Sequence, residues 1–532
     1  MDTIRSLVEK AVAKTPGKVF FIFKDEEITY EDFIDAVKRV ANGLLCLGVR
    51  KGDRVAILLQ NCVEFPYAWL AANMIGAVMV PVNGRFVEKE IRYVLGHSGA
   101  KVLVTSNEYL EAVDSIQGEL PSLETLVNIN GRTRNTIAFE DLLTNSPELP
   151  PVEIESEKDL AVILYTSGTT GTPKGCMATH EYFVNLAHVE ADLFGLKSED
   201  RVLTAQPFYY MDPQWNTLMT VARNATVIVS EKFSPSKFWD EVSRYGVTCF
   251  YCIGSMTSFL YNMPPSSLDK EHKLRMVQTS GISPRIHKAW EERFNVPVYE
   301  VYASTETTVD IAVPLGADRK VGTACIGRPI WYREAKVVDD NEAEVPRGEV
   351  GEIILRRGRG MMLGYYKDEA ATEHAFRGGW FHSGDLGFID EDGDYHFAGR
   401  KKDIIRRGGE NISAASIEQV LMTHPAILDA AAIPVPDSIR GEEVKVYVVP
   451  RPGQTIAFEE VIEFSKKNMA EYKVPRYVEI RESLPKTPSE RVQKEKLKQE
   501  KKNLAEGCYD RLAQQINKKA EERNRKQTKT GG

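Results

Sequence analysis

The chain has 532 residues, 42% of them hydrophobic and 27% charged, with a net charge of −8. Its length exceeds the roughly 250–300 residues at which one core stops growing, so at least two domains are expected in an ordinary globular composition. Seven scattered cysteines argue against a disulfide framework, and the most apolar stretch, YAWLAANMIGAVMVPV, falls short of the ~18 residues of a membrane span, so a cytoplasmic setting is expected.

The N-terminal MDTIRSLVEKAVAKTPGK reads as an amphipathic helix of mixed charge, not a leader. Between about residues 50 and 310, short apolar runs alternate with helix-like segments. DRVAILLQ, KVLVTS, DLAVILYTSG, ATVIVSE, VTCFYCI, LRMVQTSG and PVYEVYAS predict buried strands. FPYAWLAANMIG, HEYFVNLAHVEADLF, PSKFWDEVSRYG and SPRIHKAWEERF predict the helices between them. In the last of these, Ser283 is placed to cap and Pro284 takes the first helical position. Such alternation implies parallel sheets covered by helices. Cys249 and Cys252 make a lone CxxC, but the run around them reads as a buried strand, favouring a core role over redox or metal work.

After Gly322 the pattern changes to GEVGEIILRRG and GWFHSGDLGFIDEDGDYHFAGR, short strands with an Asp-Gly turn. A compact α+β segment follows GRKKDIIRRGGEN and continues to about Leu497. The expected fold class is therefore α/β. A large N-terminal domain over 1–400 combines helix-covered parallel sheets with a small β-barrel-like module, and a small α+β C-terminal domain spans 401–500. The remaining 501–532 read as a charged tail, in the form of a solvated helix; from Lys498 onward the chain carries +5 and the rest −13.

The strongest chemical signal is YTSGTTGTPKG, Tyr165 to Gly175, expected between a buried strand and a helix. Glycines, threonines and a serine in such a loop put N–H and hydroxyl donors around polyanionic oxygens. Lys174 adds a mobile positive charge, and a following helix N-terminus would add its dipole. It is not a Walker A loop, because Pro173 stands where that motif has glycine before the lysine.

This string resembles the phosphate loop of the adenylate-forming superfamily, which comprises acyl-CoA synthetases, firefly luciferases and peptide-synthetase adenylation domains. The likeness runs over roughly residues 10–497. It implies an AMP-forming acid–thiol ligase using ATP, Mg²⁺ and coenzyme A as co-substrate, with a small mobile domain on a hinge. Thr166, Ser167, Gly168, Thr169, Thr170, Gly171 and Lys174 would then surround the phosphates. VYASTET resembles the family's Y-G-x-T-E element, implying that Thr305 contacts phosphate and Glu306 holds Mg²⁺, an ion that takes hard oxygen ligands. TSGIS resembles the adenine segment, with Gly281 and Ile282 lining the base and Tyr302 stacking on it. WFHSGDLG implies Asp385 on the ribose hydroxyls, with Arg400 as cationic companion. Lys402 falls at the hinge position, and Gly408 and Gly409 resemble the loop lining the pantetheine tunnel. The C-terminal catalytic lysine is replaced: LPKTPSERVQK puts Arg491 there, with Lys486 and Lys494 as alternatives.

FYYMDPQ, FLYNMPPSS, RRGGENIS and NMAEYKVPRYVEIRESLP resemble ligases that act on crotonobetaine and carnitine. An acyl pocket of Tyr210, Asp212 and Trp215 would suit a cationic tail, through charge neutralisation and aromatic quadrupoles. The bland reading has Asp212 capping the next helix and Trp215 in the core. The alternatives are a ligase for an uncharged short, branched or cyclic acid, and a freestanding adenylation enzyme loading a carrier protein. The partners expected are a small carboxylic acid, ATP and CoA, with no nucleic acid; a homodimer is left open.

Overall fold

The computed structural model describes residues 2–133, 135–166, 173–407, 410–487 and 492–514. In the first sheet, β1 (Arg54–Leu58), β2 (Val78–Pro81), β3 (Val102–Thr105), β4 (Thr125–Asn128) and β5 (Leu160–Thr166) run parallel in the order β4-β3-β1-β2-β5. Apart from the half-buried Leu160, their Val, Ile and Leu side chains are buried on both faces, as strands under two layers of helix require. Helix α1 (Glu64–Met74) is buried along its whole length from Phe65 onward, which explains its apolar circumference.

Contrary to the expectation from sequence, no helix among the described residues follows the phosphate loop directly. After the phosphate loop the chain first makes β6 (Lys174–Thr179), which turns back antiparallel on β5 with Lys174 opposite Thr166. Cys176 and Ala178 bury themselves along the sheet, and α2 (His180–Leu193) starts only beyond them, capped by Thr179. A full strand separates the helix dipole from the loop, beyond the single turn over which such dipoles act.

The second sheet places β7 (Arg201–Thr204), β8 (Thr226–Val229), β9 (Cys249–Ile253), β10 (Met276–Ser280) and β11 (Val298–Ser304) in the order β11-β10-β9-β7-β8, all parallel. Helices α3 (Met211–Arg223), α4 (Gly254–Tyr261) and α5 (Pro284–Phe294) cross between strands. Pro284 opens α5, while Ser283 holds the cap position without a side-chain capping bond. Cys249 and Cys252 are fully buried in β9, and burial pushes both thiols up to about 12, so they are core residues.

The β-rich region continues this sheet antiparallel. From β11 it passes through β12 (Thr308–Ala312), β13 (Cys325–Pro329), β16 (Tyr395–Arg400), β15 (Trp380–Ile389) and β14 (Gly351–Arg356). The Asp392–Gly393 turn joins β15 to β16, with Gly393 at φ +86°.

A single turn, Lys401–Asp403, leads into the small lobe. There β17 (Ile404–Arg407), β18 (Glu410–Ser413), β19 (Ile427–Asp437), β20 (Gly441–Pro450) and β21 (Tyr477–Ile480) form one sheet, accompanied by α6 (Ala414–Leu421) and α7 (Phe458–Asn468). Residues 501–514, set apart above as part of a charged tail, pack on this lobe: β22 (Tyr509–Asp510) pairs with β21. Tyr509 stacks on Phe458, and Arg511 meets Glu471 at 2.7 Å, so apolar and ionic partners both hold the segment. No helix among the described residues is long and apolar enough to cross a membrane.

Candidate active site

Parallel strands β9 and β10 end side by side at Ile253 and Ser280, and β11 runs on beyond them to Ser304. The carboxyl edge of such a sheet is where ligands bind, and the segments leaving it carry many of the residues expected from the sequence. Gly281 follows β10 at φ +87°, with open space where a Cβ would stand. Its carbonyl oxygen would lie 1.8 Å from a Cβ on Gly254, so only glycine can begin α4 beside this loop. Ile282 is 2% exposed. Its amide meets the Glu300 carboxyl, which burial pushes up to about 8.

Thr305 and Glu306 lie in the turn between β11 and β12, held from three sides. The Tyr182 hydroxyl donates to the Thr305 carbonyl at 2.8 Å. The Met362 amide donates to the Glu306 carbonyl at 2.8 Å, and the Tyr365 hydroxyl to Glu306 Oε1 at 3.0 Å. Below the turn, Arg333 and Asp310 form an ion pair at 2.9 Å with side chains 1% and 0% exposed. Arg333 also donates to Thr308 Oγ1 at 3.1 Å and to the Thr307 carbonyl, while Asp310 accepts from the Thr307 hydroxyl. This network holds Thr308 at φ +67°, a strained conformation for a β-branched residue. Burial raises the Glu306 carboxyl above its ordinary range; the Tyr365 bond and the charge of Arg400 pull the other way.

At the base of the phosphate loop, Thr166 and Lys174 face each other across β5 and β6. Lys174 Nζ stands 5.1 Å from the ring centroid of Tyr365. Residues 362–366 form a strap between this hairpin and the Glu306 turn. Leu363 and Gly364 exchange bonds of 2.9 Å with Met177, and the Tyr366 amide donates to Gly175 at 2.7 Å. Tyr93 donates to the Pro173 carbonyl at 3.2 Å, and His97 meets the Tyr165 hydroxyl at 2.7 Å. Ser167, Gly168, Thr169, Thr170 and Gly171 lie outside the described residues.

On the opposite side, Asp385 of β15 pairs in register with Arg400 of β16, and their side chains meet at 3.1 Å. The Tyr302 hydroxyl donates to the other Asp385 oxygen at 2.9 Å. Tyr302 is 7% exposed, so its ring is largely walled in and its hydroxyl committed. Lys402, exposed, follows two residues after Arg400; Gly408, Gly409 and Arg491 lie outside the described residues. Lys494 is tied within the small lobe to Glu418 at 2.8 Å, whereas Lys486 pairs with Asp429 at 2.7 Å and lies over the Phe259 ring of α4. The acidic trio Asp390, Asp392 and Asp394 has metal-like spacing, but the Lys320 ammonium lies 2.6–2.8 Å from all three carboxylates.

Met211, the first residue of α3, brings its sulfur to 3.7 Å from the Tyr182 hydroxyl, the same group that holds Thr305. Asp212 occupies the first turn, half-buried, and the half-buried Tyr210 ring lies 4.8 Å from that of Tyr209. Trp215 is 2% exposed and packs edge-on at 4.9 Å against Tyr251.

Residues 8–366 match the AMP-binding enzyme family, and 416–491 match the AMP-binding enzyme C-terminal domain. The chain belongs to the AMP-binding enzyme family. It is 35% identical over 483 residues to crotonobetaine/carnitine–CoA ligase of Escherichia coli O8 (strain IAI1), spanning 88% of this chain and 93% of that protein. An anthranilate–CoA ligase in complex with anthranoyl-AMP superposes with a TM-score of 0.87 at 26% identity, covering 94% of this chain and 97% of the other. ATP-bound MatB from Rhodopseudomonas palustris gives 0.86 at 27% identity and 95% and 100% coverage; the apo form of that enzyme gives 0.74. The protein is an AMP-forming acid–CoA ligase.

In this AMP-binding enzyme several residues that shape the site carry no sequence signal of their own. Tyr182, Arg333, Asp310 and Tyr365 come from four separate segments and meet only around the Thr305–Glu306 turn. The run GMMLGYY carries one signal in its glycines: a Cβ on Gly364 would lie 2.6 Å from Thr372 Cγ2.

Proposed function

We propose that this ligase activates a short carboxylic acid with a cationic tail of the carnitine or crotonobetaine kind. The seating of α3 carries the reading. Tyr182 touches both Thr305 and Met211, so the first turn of α3, with Asp212, is one side chain away from the Glu306 turn. An acid whose carboxylate reaches the α-phosphate at that turn extends its tail toward Asp212, whose charge would neutralise an ammonium group. Trp215 acts as a wall behind Tyr251 rather than as an open aromatic face. The likeness to the Escherichia coli ligase supports this choice of acid. The fold alone does not select it, since an anthranilate–CoA ligase superposes with a TM-score of 0.87.

In this reading the donors of residues 166–171 and Lys174 hold the triphosphate. Glu306 fits Mg²⁺, being a hard-oxygen carboxylate with no lysine or arginine ion pair among the described residues; the ion would neutralise charge on the departing pyrophosphate. Asp385 accepts from the ribose with Arg400 beside it, while Gly281, Ile282 and Tyr302 bound the adenine. A substrate carboxylate oxygen attacks the α-phosphorus and the bond to pyrophosphate breaks, with Arg491 stabilising the redistributed charge. The sulfur of coenzyme A, having lost its proton, then attacks the acyl carbonyl, and the bond to AMP breaks. The second step needs a pantetheine path past Gly408 and Gly409, opened by rotation about Lys402. The better superposition on the ATP-bound than on the apo neighbour supports a mobile small lobe.

The test is thioester formation from γ-butyrobetaine and from its uncharged isostere 5,5-dimethylhexanoate, with release of AMP and pyrophosphate measured. Asp212→Asn should lower efficiency on the betaine by about 2–3 kcal/mol, or roughly 30–150-fold, and spare the neutral acid. Equal losses on both would make Asp212 structural and leave an uncharged acid as substrate.

A further inference from the structure

Glu190 takes part in none of the steps above. It lies on α2 eight residues beyond Tyr182, on the same stripe of the helix and about 12 Å farther along it. Its side chain is 1% exposed, and Oε2 has no hydrogen-bond partner among the described residues. Around it stand Gln278 of β10, Asp212 of α3, Tyr251 of β9 and Tyr332 from the loop after β13. Gln278 Oε1 is likewise unpartnered, and Tyr251 is the residue that packs on Trp215. Burial pushes the Glu190 carboxyl up to about 8, with a Gln278 hydrogen bond opposing and the charge of Asp212 adding to it, so the acid is protonated at neutral pH. A buried, incompletely bonded acid is unfavourable in a core that an apolar side chain could fill. Two carboxyls, Glu190 and Asp212, close to one buried site form an environment that a cation would complete.

We propose that Glu190 is a second anionic specificity residue, which with Asp212 lines the inner end of the acyl site and selects acids ending in a quaternary ammonium over neutral isosteres. The proposal rests on the acyl-site reading given above. As the cation enters, Glu190 gives up its proton to solvent and pairs with the ammonium charge. The tail is then held by two carboxylates at different depths, Asp212 at the first turn of α3 and Glu190 farther along α2.

The experiment compares kcat/KM for γ-butyrobetaine and for 5,5-dimethylhexanoate in the full-length ligase and in Glu190→Gln. The wild type should prefer the betaine, and the variant should lose roughly tenfold or more of that preference, read as the ratio of the two efficiencies. A wild type that does not prefer the betaine would overturn the cationic-substrate reading, and this inference with it. A preference that survives in Glu190→Gln would overturn the role of Glu190 alone. A second measurement does not depend on the variant: calorimetric titration of the wild type with γ-butyrobetaine and AMP at pH 7, in two buffers of different ionisation heat. Binding should release a proton. Of the other groups facing Glu190, Tyr251 and Tyr332 are pushed up by burial and stay protonated, and Asp212 is the second carboxyl of the site. Absence of proton release would refute the proposal.

Discussion

Tyr365→Phe isolates one bond at the centre of the site. The hydroxyl donates at 3.0 Å to Glu306, whose carboxyl burial already raises; the ring, which Phe keeps, lies below the Lys174 ammonium. Removing only the hydroxyl deletes a hydrogen bond to a charged group, worth about 1.5–3 kcal/mol, or roughly 10–150-fold in an equilibrium that needs the carboxylate. The bond favours the ionised form, so its loss raises the Glu306 pKa further. Metal affinity falls at any pH below that pKa and recovers above it. ATP–pyrophosphate exchange, measured against Mg²⁺ concentration between pH 6 and 9, should show a higher Mg²⁺ requirement for the variant. The rising limb of its pH profile should be displaced to higher pH, with the gap closing at the alkaline end. Tyr365→Leu, which also removes the ring beneath Lys174, should weaken ATP binding in addition. If Tyr365→Phe matches the wild type in Mg²⁺ requirement at every pH, Glu306 is not the metal ligand or Tyr365 does not tune it.

Arg333→Met should destabilise the large lobe by about 3–5 kcal/mol in urea unfolding, because it leaves Asp310 buried without its cation; adding Asp310→Asn should restore much of the loss. Lower pH should shrink the penalty, since protonating Asp310 removes the uncompensated charge; a single variant as stable as the wild type at pH 8 would contradict the brace. Glu190→Gln should raise the melting temperature by an amount that grows with pH. The folded pKa of about 8 exceeds the unfolded value, so the stability contributed by the protonated acid is complete below about pH 4.5 and lost as pH rises through about 8. The amide variant escapes that loss, and a melting-temperature difference that is flat from pH 5 to 8 would argue against a protonated buried Glu190.

The readings that came directly from the amino-acid order concern short, continuous pieces of chain. Alternating runs such as VTCFYCI and SPRIHKAWEERF determine a strand and a helix because burial on two faces, or on one stripe, is written into neighbouring residues. The phosphate-loop string and the TE pair stand where strands end, so their place at the carboxyl edge of the sheets followed from the βαβ pattern. The amino-acid order points from the loop straight into a helix because pairing of Lys174–Thr179 with β5 is a tertiary choice: a six-residue run cannot announce which strand it will join. The same limit applies to the tail, where Tyr509 and Arg511 find partners on a lobe built from residues earlier in the chain. Tyr365 beneath Lys174, Arg333 beneath the Glu306 turn and Glu190 beside Asp212 were decided by the fold alone. Electrostatic and hydrogen-bond partners are set by distance in space, and the residues concerned are separated by scores of positions in a sequence that records only nearest neighbours.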